Sequence, residues 1–352
     1  MGYRSAVLLR SALSWLLLGW TLTLVISCKP VTLGSGQASA SPSPATTQTP
    51  PLPPRRETIW KDFDSQRSLA SAQTILSYGN RIAASDALDK VRAYLKNDLV
   101  SAGWEVTDQQ FSEQAAGGQV IHFSSLLGRF AKVPPAKPSY LLAAHFDSPN
   151  LGLTVDPGAT DGAANTAVLL EIARTLSLDP RLAAHVQVLF LDGHMPFHQI
   201  SPSDGLFGSR FYTQILKINQ TTDATNAVVV LEHLGGYGSP LGFAPNSDPA
   251  LIERFRSAAQ ALKIDLEAGK RPFLLDHVPF QNAGIAAIAL LDPDAAYLHT
   301  ADDDASRLSR DAFAQAGQLV LYFLSEQDTP PASTPGETIL SDKGPPRTRG
   351  KN

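Results

Sequence analysis

Four short apolar runs, residues 140–144, 186–191, 227–231 and 285–291, are almost uninterrupted by polar side chains. Continuity of this kind, rather than alternation, is expected of strands whose two faces are both covered by helices. Between the runs lie segments with helical spacing of apolar positions, at 163–176, 206–216 and 249–262. Upstream, Leu88, Val91, Leu95 and Leu99 recur at helical spacing behind Ser85 as an N-cap, with Gly103 as a stop. The alternation predicts an α/β fold with a mostly parallel, twisted central sheet flanked by helices, a three-layer sandwich.

The ends of the chain have a different character. Residues 1–28 place Arg4 and Arg10 before a mostly apolar run that closes on Ser27 and Cys28, the order of an export signal. The run is short for a spanning helix, and with the only cysteine of the chain at its end it resembles a lipoprotein signal. That resemblance implies lipidation of Cys28, a membrane anchor and an exported domain facing the periplasm or the cell exterior. Residues 29–57 and 328–352 are rich in Ser, Thr and Pro and poor in large apolar side chains, so they read as a disordered tether and tail around a folded domain at 58–327.

Charge narrows the function classes. Lys and Arg number 29 against 33 for Asp and Glu, a formal net charge of -4, and no basic cluster stands out, so no nucleic-acid partner is expected. With Cys28 lipidated no thiol remains for a disulfide or for cysteine catalysis.

Ionisable residues follow the first three apolar runs: His145 and Asp147, then Asp192 and His194, then Glu232 and His233. Open α/β sheets bind ligands outside the carboxyl ends of their strands, so these side chains should converge. Asp161, in Gly158-Ala159-Thr160-Asp161-Gly162, and His299, in His299-Thr300-Ala301-Asp302-Asp303, join them as candidates. Imidazole and carboxylate ligands from separate loops, with one position left open, are what a catalytic zinc requires.

The runs His145-Phe146-Asp147-Ser148, Gly158-Ala159-Thr160-Asp161-Gly162-Ala163, Val188-Leu189-Phe190-Leu191-Asp192-Gly193 and His299-Thr300 with Asp302-Asp303 resemble the successive metal motifs of the zinc aminopeptidases and glutaminyl cyclases. Ser201 to Arg210 and Asp276-His277-Val278-Pro279-Phe280 are similar to stretches on the cyclase side. The resemblance implies a zinc-exopeptidase-like domain holding Zn2+, one ion in the cyclase arrangement, with peptide or protein N-termini as substrate. Carried over, the metal ligands are His145, Asp161 and His299, although in a one-zinc cyclase His145 stands behind the ligands. Glu232 corresponds to a metal carboxylate in aminopeptidases and to a proton-transfer carboxylate in cyclases. His194, Glu232 and Asp276 form the catalytic set, and Asp147 orients His145.

The pattern breaks after Gly193, where the family has two glutamates and this chain has His194 and Met195. A thioether is a poor zinc donor. His194 could supply the missing ligand; or the metal could sit among His145, Asp161 and Glu232, freeing His194 as proton carrier; or metal binding could be lost. Ile200 and Leu298 stand where cyclases carry tryptophans. The functions in view are therefore a glutaminyl-peptide cyclotransferase, a zinc aminopeptidase and a non-catalytic peptide-binding lipoprotein. His122 and His185 read as surface or edge residues, His198 matches no ligand position, and His233 and His277 are expected to make structural hydrogen bonds.

Overall fold

The computed structural model describes residues 52–326 apart from 116, 134–138, 151 and 153–155. The signal, Cys28, the tail and all but residues 52–57 of the tether lie outside the described residues. Among those described, no helix is long and apolar enough to cross a membrane.

Eight strands form one sheet: β1 (Trp104–Gln114), β2 (Val120–Phe130), β3 (Ser139–His145), β4 (Val186–Leu191), β5 (Thr225–Leu231), β6 (Leu241–Phe243), β7 (Leu266–Ala268) and β8 (Ala287–Leu291). Their order is β1-β2-β4-β3-β5-β8-β6-β7. The central strands β4, β3, β5 and β8 run parallel and are the four runs expected from the sequence. The flanks add antiparallel pairs, β1 with β2, β2 with β4 and β6 with β8. The β1–β2 hairpin left no apolar run to read, because only Trp104 of the eleven residues in β1 is buried. A strand facing water on most positions carries a weak hydrophobic signal.

The helices are α1 (Ser65–Ser77), α2 (Asp86–Ser101), α3 (Asn165–Leu176), α4 (Pro180–Ala183), α5 (Phe207–Ile218), α6 (Pro249–Leu262), α7 (His277–Asn282) and α8 (Arg310–Glu326). Ser85 caps α2 by accepting from the Leu88 amide, as expected. Side chains from α1, α2, α3, α6 and α8 share one core with Leu142, Ala144, Val229 and Leu231, whereas α5 and α7 share a second core with Leu141, Ala143, Val228 and Val230. Adjacent residues of β3 and β5 thus feed opposite cores, which is why residues 140–144 and 227–231 are apolar without interruption. Each leucine so buried contributes roughly 1.5–3 kcal/mol relative to exposure. Two filled faces leave the carboxyl rim of the parallel strands as the one sheet edge where polar groups collect.

Candidate active site

His145 ends β3, Glu232 follows β5, and His194 comes three residues after β4 ends, so all three rise from that rim. Asp161 arrives on an irregular turn at Ala159–Ala164 in which Asp161 and Gly162 leave helical geometry. Gly162 has φ 107, and a Cβ there would stand 2.4 Å from the Asp147 carbonyl oxygen; only glycine fits. The fully buried Arg81 guanidinium fills the centre of this turn. It donates to the carbonyls of Phe146 at 3.0 Å, Pro157 at 2.8 Å and Gly158 at 2.8 Å. Asp303, on the loop that carries His299, accepts from the amide and hydroxyl of Thr160, both at 2.8 Å, and from the Asp161 amide at 3.1 Å. The two loops are thereby tied together.

His145 is completely buried. Its Nδ1 lies 3.2 Å from the Asp147 carbonyl oxygen and 3.3 Å from Asp147 Oδ1, so Asp147 orients the ring with both its main chain and its side chain. A proton on Nδ1 leaves the Nε2 lone pair facing Asp161 Oδ1 at 3.1 Å and Glu232 Oε2 at 3.5 Å. Neither His145 Nε2 nor Glu232 Oε2 has a hydrogen-bond partner, although both are buried. Ligands about 2.0–2.1 Å from a tetrahedral zinc lie about 3.3 Å apart. The two spacings from His145 Nε2 and the two orphaned atoms fit a divalent cation beside His145, with Asp161 on one side of the ring nitrogen and Glu232 on the other. The other Asp161 oxygen, Oδ2, lies 3.1 Å from Nε2 of His299, a residue with left-handed φ of 60° and a side chain 57% exposed.

The electrostatics agree with a cation site. Burial pushes the Glu232 carboxyl up to about 7. Burial would also raise Asp161, but the close His145 imidazole and the hydrogen bond with His299 hold it well below the usual carboxylate range. Burial pulls the His145 imidazole down, and contact with Asp147 and Asp161 outweighs it, lifting the ring well above its ordinary value. Buried carboxylates thus draw positive charge into this spot, which a proton or a metal ion can provide.

His194 stacks on His145, with ring centroids 4.0 Å apart and planes 16° from parallel. Its Nδ1 lies 2.7 Å from Asp276 Oδ2 and 4.0 Å from Glu232 Oε1. Asp276 in turn accepts from the Ser209 hydroxyl at 2.5 Å and donates its own amide to Glu232 Oε1 at 3.3 Å. Ligand atoms of His145, His194 and Glu232 all lie within 4.8 Å of one another, but the Asp276 bond already engages His194 Nδ1. Burial and His145 pull the His194 imidazole down; Glu232 and Asp276 outweigh them and raise it to about 9.

The six candidates His145, Asp161, His194, Glu232, Asp276 and His299 are therefore brought together. Asp192 is not among them: its Oδ2 accepts from Arg92 and from the Ser124 amide, both at 2.8 Å, which ties the end of β4 to α2 and β2. Met195 donates its amide to Asp147 Oδ2 at 2.8 Å. His277 makes the structural bond expected of it, to Asn246 at 3.0 Å. His233 does not. It lines a cavity of about 890 Å³ beside Asp161, His194 and His299, and no hydrogen bond reaches its ring among the described residues. Phe197, Ile200, Phe273 and Leu298 give that cavity its apolar walls. Arg81 escaped the sequence reading because nothing in Gly79-Asn80-Arg81 marks a buried charge, and Asp303 was visible only as part of the acidic pair after His299.

Comparison with known proteins follows this geometry. The sequence pattern of Peptidase family M28 matches residues 126–324. The chain is 27% identical over 280 residues to the glutaminyl-peptide cyclotransferase of Gloydius blomhoffii, covering 67% of this chain and 74% of the relative. An Acidobacteriales bacterium glutaminyl cyclase superposes with a TM-score of 0.66 at 22% identity, covering 81% of this chain and 98% of that one. A Zn-dependent exopeptidase from Parabacteroides distasonis superposes at 0.67 with 22% identity, covering 75% and 98%. The chain belongs to Peptidase family M28, and its fold is that of these structures.

Proposed function

We propose that this member of Peptidase family M28 is a metal-dependent, glutaminyl cyclase-like aminoacyltransferase that closes the N-terminal glutamine of peptides or proteins. The observation that carries this reading is the bond between His194 Nδ1 and Asp276 Oδ2 at 2.7 Å, beside the donor set of His145, Asp161 and Glu232. Similarity to glutaminyl-peptide cyclotransferases over 67% of the chain supports the substrate class.

In this reaction the peptide's α-amine attacks the γ-carbon of the glutamine side chain, the bond from that carbon to the amide nitrogen breaks, and ammonia leaves. His145, Asp161 and Glu232, with His299 beside Asp161, would hold one zinc ion, which would supply Lewis-acid chemistry at the γ-carbonyl. Asp276 fixes the His194 tautomer with the proton on Nδ1, which leaves Nε2 to act from a ring that lines the cavity. His194, raised to about 9 and so charged at neutral pH, gives its Nε2 proton to the departing nitrogen and takes one back from the attacking amine. Ser209 donates to Asp276 Oδ1 and keeps that carboxylate from turning away, while Glu232 Oε1 accepts from the Asp276 main-chain amide. The apolar walls exclude water, which would otherwise compete with the amine as nucleophile.

Export and anchoring through lipidated Cys28 belong to the same proposal, and radiolabelled palmitate incorporation that is lost in Cys28→Ser tests them. The reaction is tested by offering peptides with N-terminal glutamine and, separately, leucine amides, each with and without chelator. Chelator-sensitive release of ammonia from the glutamine peptides alone supports the cyclase. Chelator-sensitive cleavage of leucine amides alone establishes an aminopeptidase, and turnover of neither substrate overturns both.

A further inference from the structure

The His233 imidazole is 7% exposed, faces the cavity and has no hydrogen-bond partner among the described residues. Neither ring nitrogen is among the sealed, unpaired polar atoms, so water reaches the ring from the cavity, and a ligand that displaces that water must replace its hydrogen bonds. Its nearest aromatic neighbour is Phe273, with centroids 6.3 Å apart, and Phe273 also lines the cavity. An apolar wall and a polar ring therefore border the same space. The His233 carbonyl accepts from the Asp292 amide at 3.1 Å, and Glu232 precedes it, so its backbone is fixed from both sides.

We infer that His233 is a specificity-determining residue that hydrogen-bonds the side-chain carboxamide of the substrate's first residue while Phe273 packs against that residue's methylenes. The inference rests on the cyclase reading above. A carboxamide carries both a donor and an acceptor, so it matches either nitrogen of a neutral imidazole. A carboxylate in the same place would meet the negative charge of Asp161, and an aliphatic chain would leave the imidazole unpaired. Sites built to bond a polar group discriminate strongly against analogues that lack it.

The test compares the whole wild-type protein with His233→Leu and His233→Gln. Steady-state kinetics on a glutamine-initiated peptide are paired with calorimetric binding of that peptide and of its norleucine-initiated counterpart, which matches the glutamine side chain in length but has no amide. In His233→Leu, kcat/KM for the glutamine peptide is expected to fall about tenfold or more, the loss of one buried hydrogen bond. The norleucine peptide should bind at least as well as before, and His233→Gln should recover part of the loss. Unchanged kcat/KM, or equal weakening of both peptides, would overturn the inference. If the wild type turns over no glutamine peptide, the cyclase reading fails by itself, and the inference is then judged on binding: a wild-type preference for glutamine over norleucine that His233→Leu abolishes supports it, and equal binding of the two peptides sinks it.

Discussion

His145 and His194 lie face to face, with ring centroids 4.0 Å apart, yet their hydrogen bonds lead in different directions. His145 is bonded to Asp147 and directs Nε2 at Asp161 and Glu232; His194 is bonded to Asp276. The stack separates two tasks. In the proposed mechanism one ring would hold a cation and the other would carry a proton.

If His194 carries the proton, His194→Ala should lower kcat on glutamine peptides by about 10²–10⁴-fold. Circular dichroism and the melting temperature check that the fold persists. A variant that keeps wild-type turnover would remove His194 from the mechanism.

Arg81 donates to the main-chain carbonyls of Phe146, Pro157 and Gly158, of which only Gly158 also accepts from a main-chain amide, that of Ala163, among the described residues. Arg81→Met fills similar space without the donors and should cost at least about 2 kcal/mol, since the Phe146 and Pro157 carbonyls lose their donor and each orphaned buried acceptor costs about 1–3 kcal/mol. Urea unfolding reads the loss. A change below about 0.5 kcal/mol, the scale of an ordinary surface substitution, would show that the turn does not depend on the guanidinium.

The pH dependence of stability should carry the mark of His277. Burial holds its imidazole down at about 4, its Nε2 lies 3.0 Å from the Asn246 amide nitrogen, and its Nδ1 has no partner. A histidine whose folded value lies below its unfolded value of 6.5 binds fewer protons when folded. Its contribution is complete above that unfolded value and is lost as pH falls from there toward 4, by on the order of 3 kcal/mol in total. The difference in unfolding free energy between wild type and His277→Asn, followed from pH 7 to pH 4, should narrow by that order; a constant difference would contradict it.

Met195 stands where the resemblance places an anionic ligand, beside a free face of Asp161 and His299. Met195→Glu should raise the bound zinc by a second equivalent, because a carboxylate there would complete an open site of three protein ligands. Elemental analysis of the purified variant measures it. An unchanged zinc content would mean that the His299 side of Asp161 cannot hold a cation.

The parallel centre of the sheet was legible because β3, β4, β5 and β8 are buried on both faces and so are apolar without interruption. For the same reason the ends of those strands could be read as a meeting place for His145, Glu232 and, through their loops, Asp161 and His299. The β1–β2 hairpin was hidden by its exposure. Asp192 looked like His194's companion because the two are near in sequence, but residues that follow a strand leave it in different directions, and Asp192 faces Arg92. The missing bond to His233 is a long-range fact, since it depends on what the loops carrying Phe273 and Leu298 bring or fail to bring to the ring.

The position of the metal tests the whole account most directly. Crystals of the protein grown with zinc, measured on both sides of the zinc absorption edge, should show an anomalous peak bonded to His145 Nε2, Asp161 Oδ1 and Glu232 Oε2, with His194 still on Asp276. A peak bonded to His299 and Met195 instead, or no peak in a protein that cyclises glutamine peptides, would contradict it.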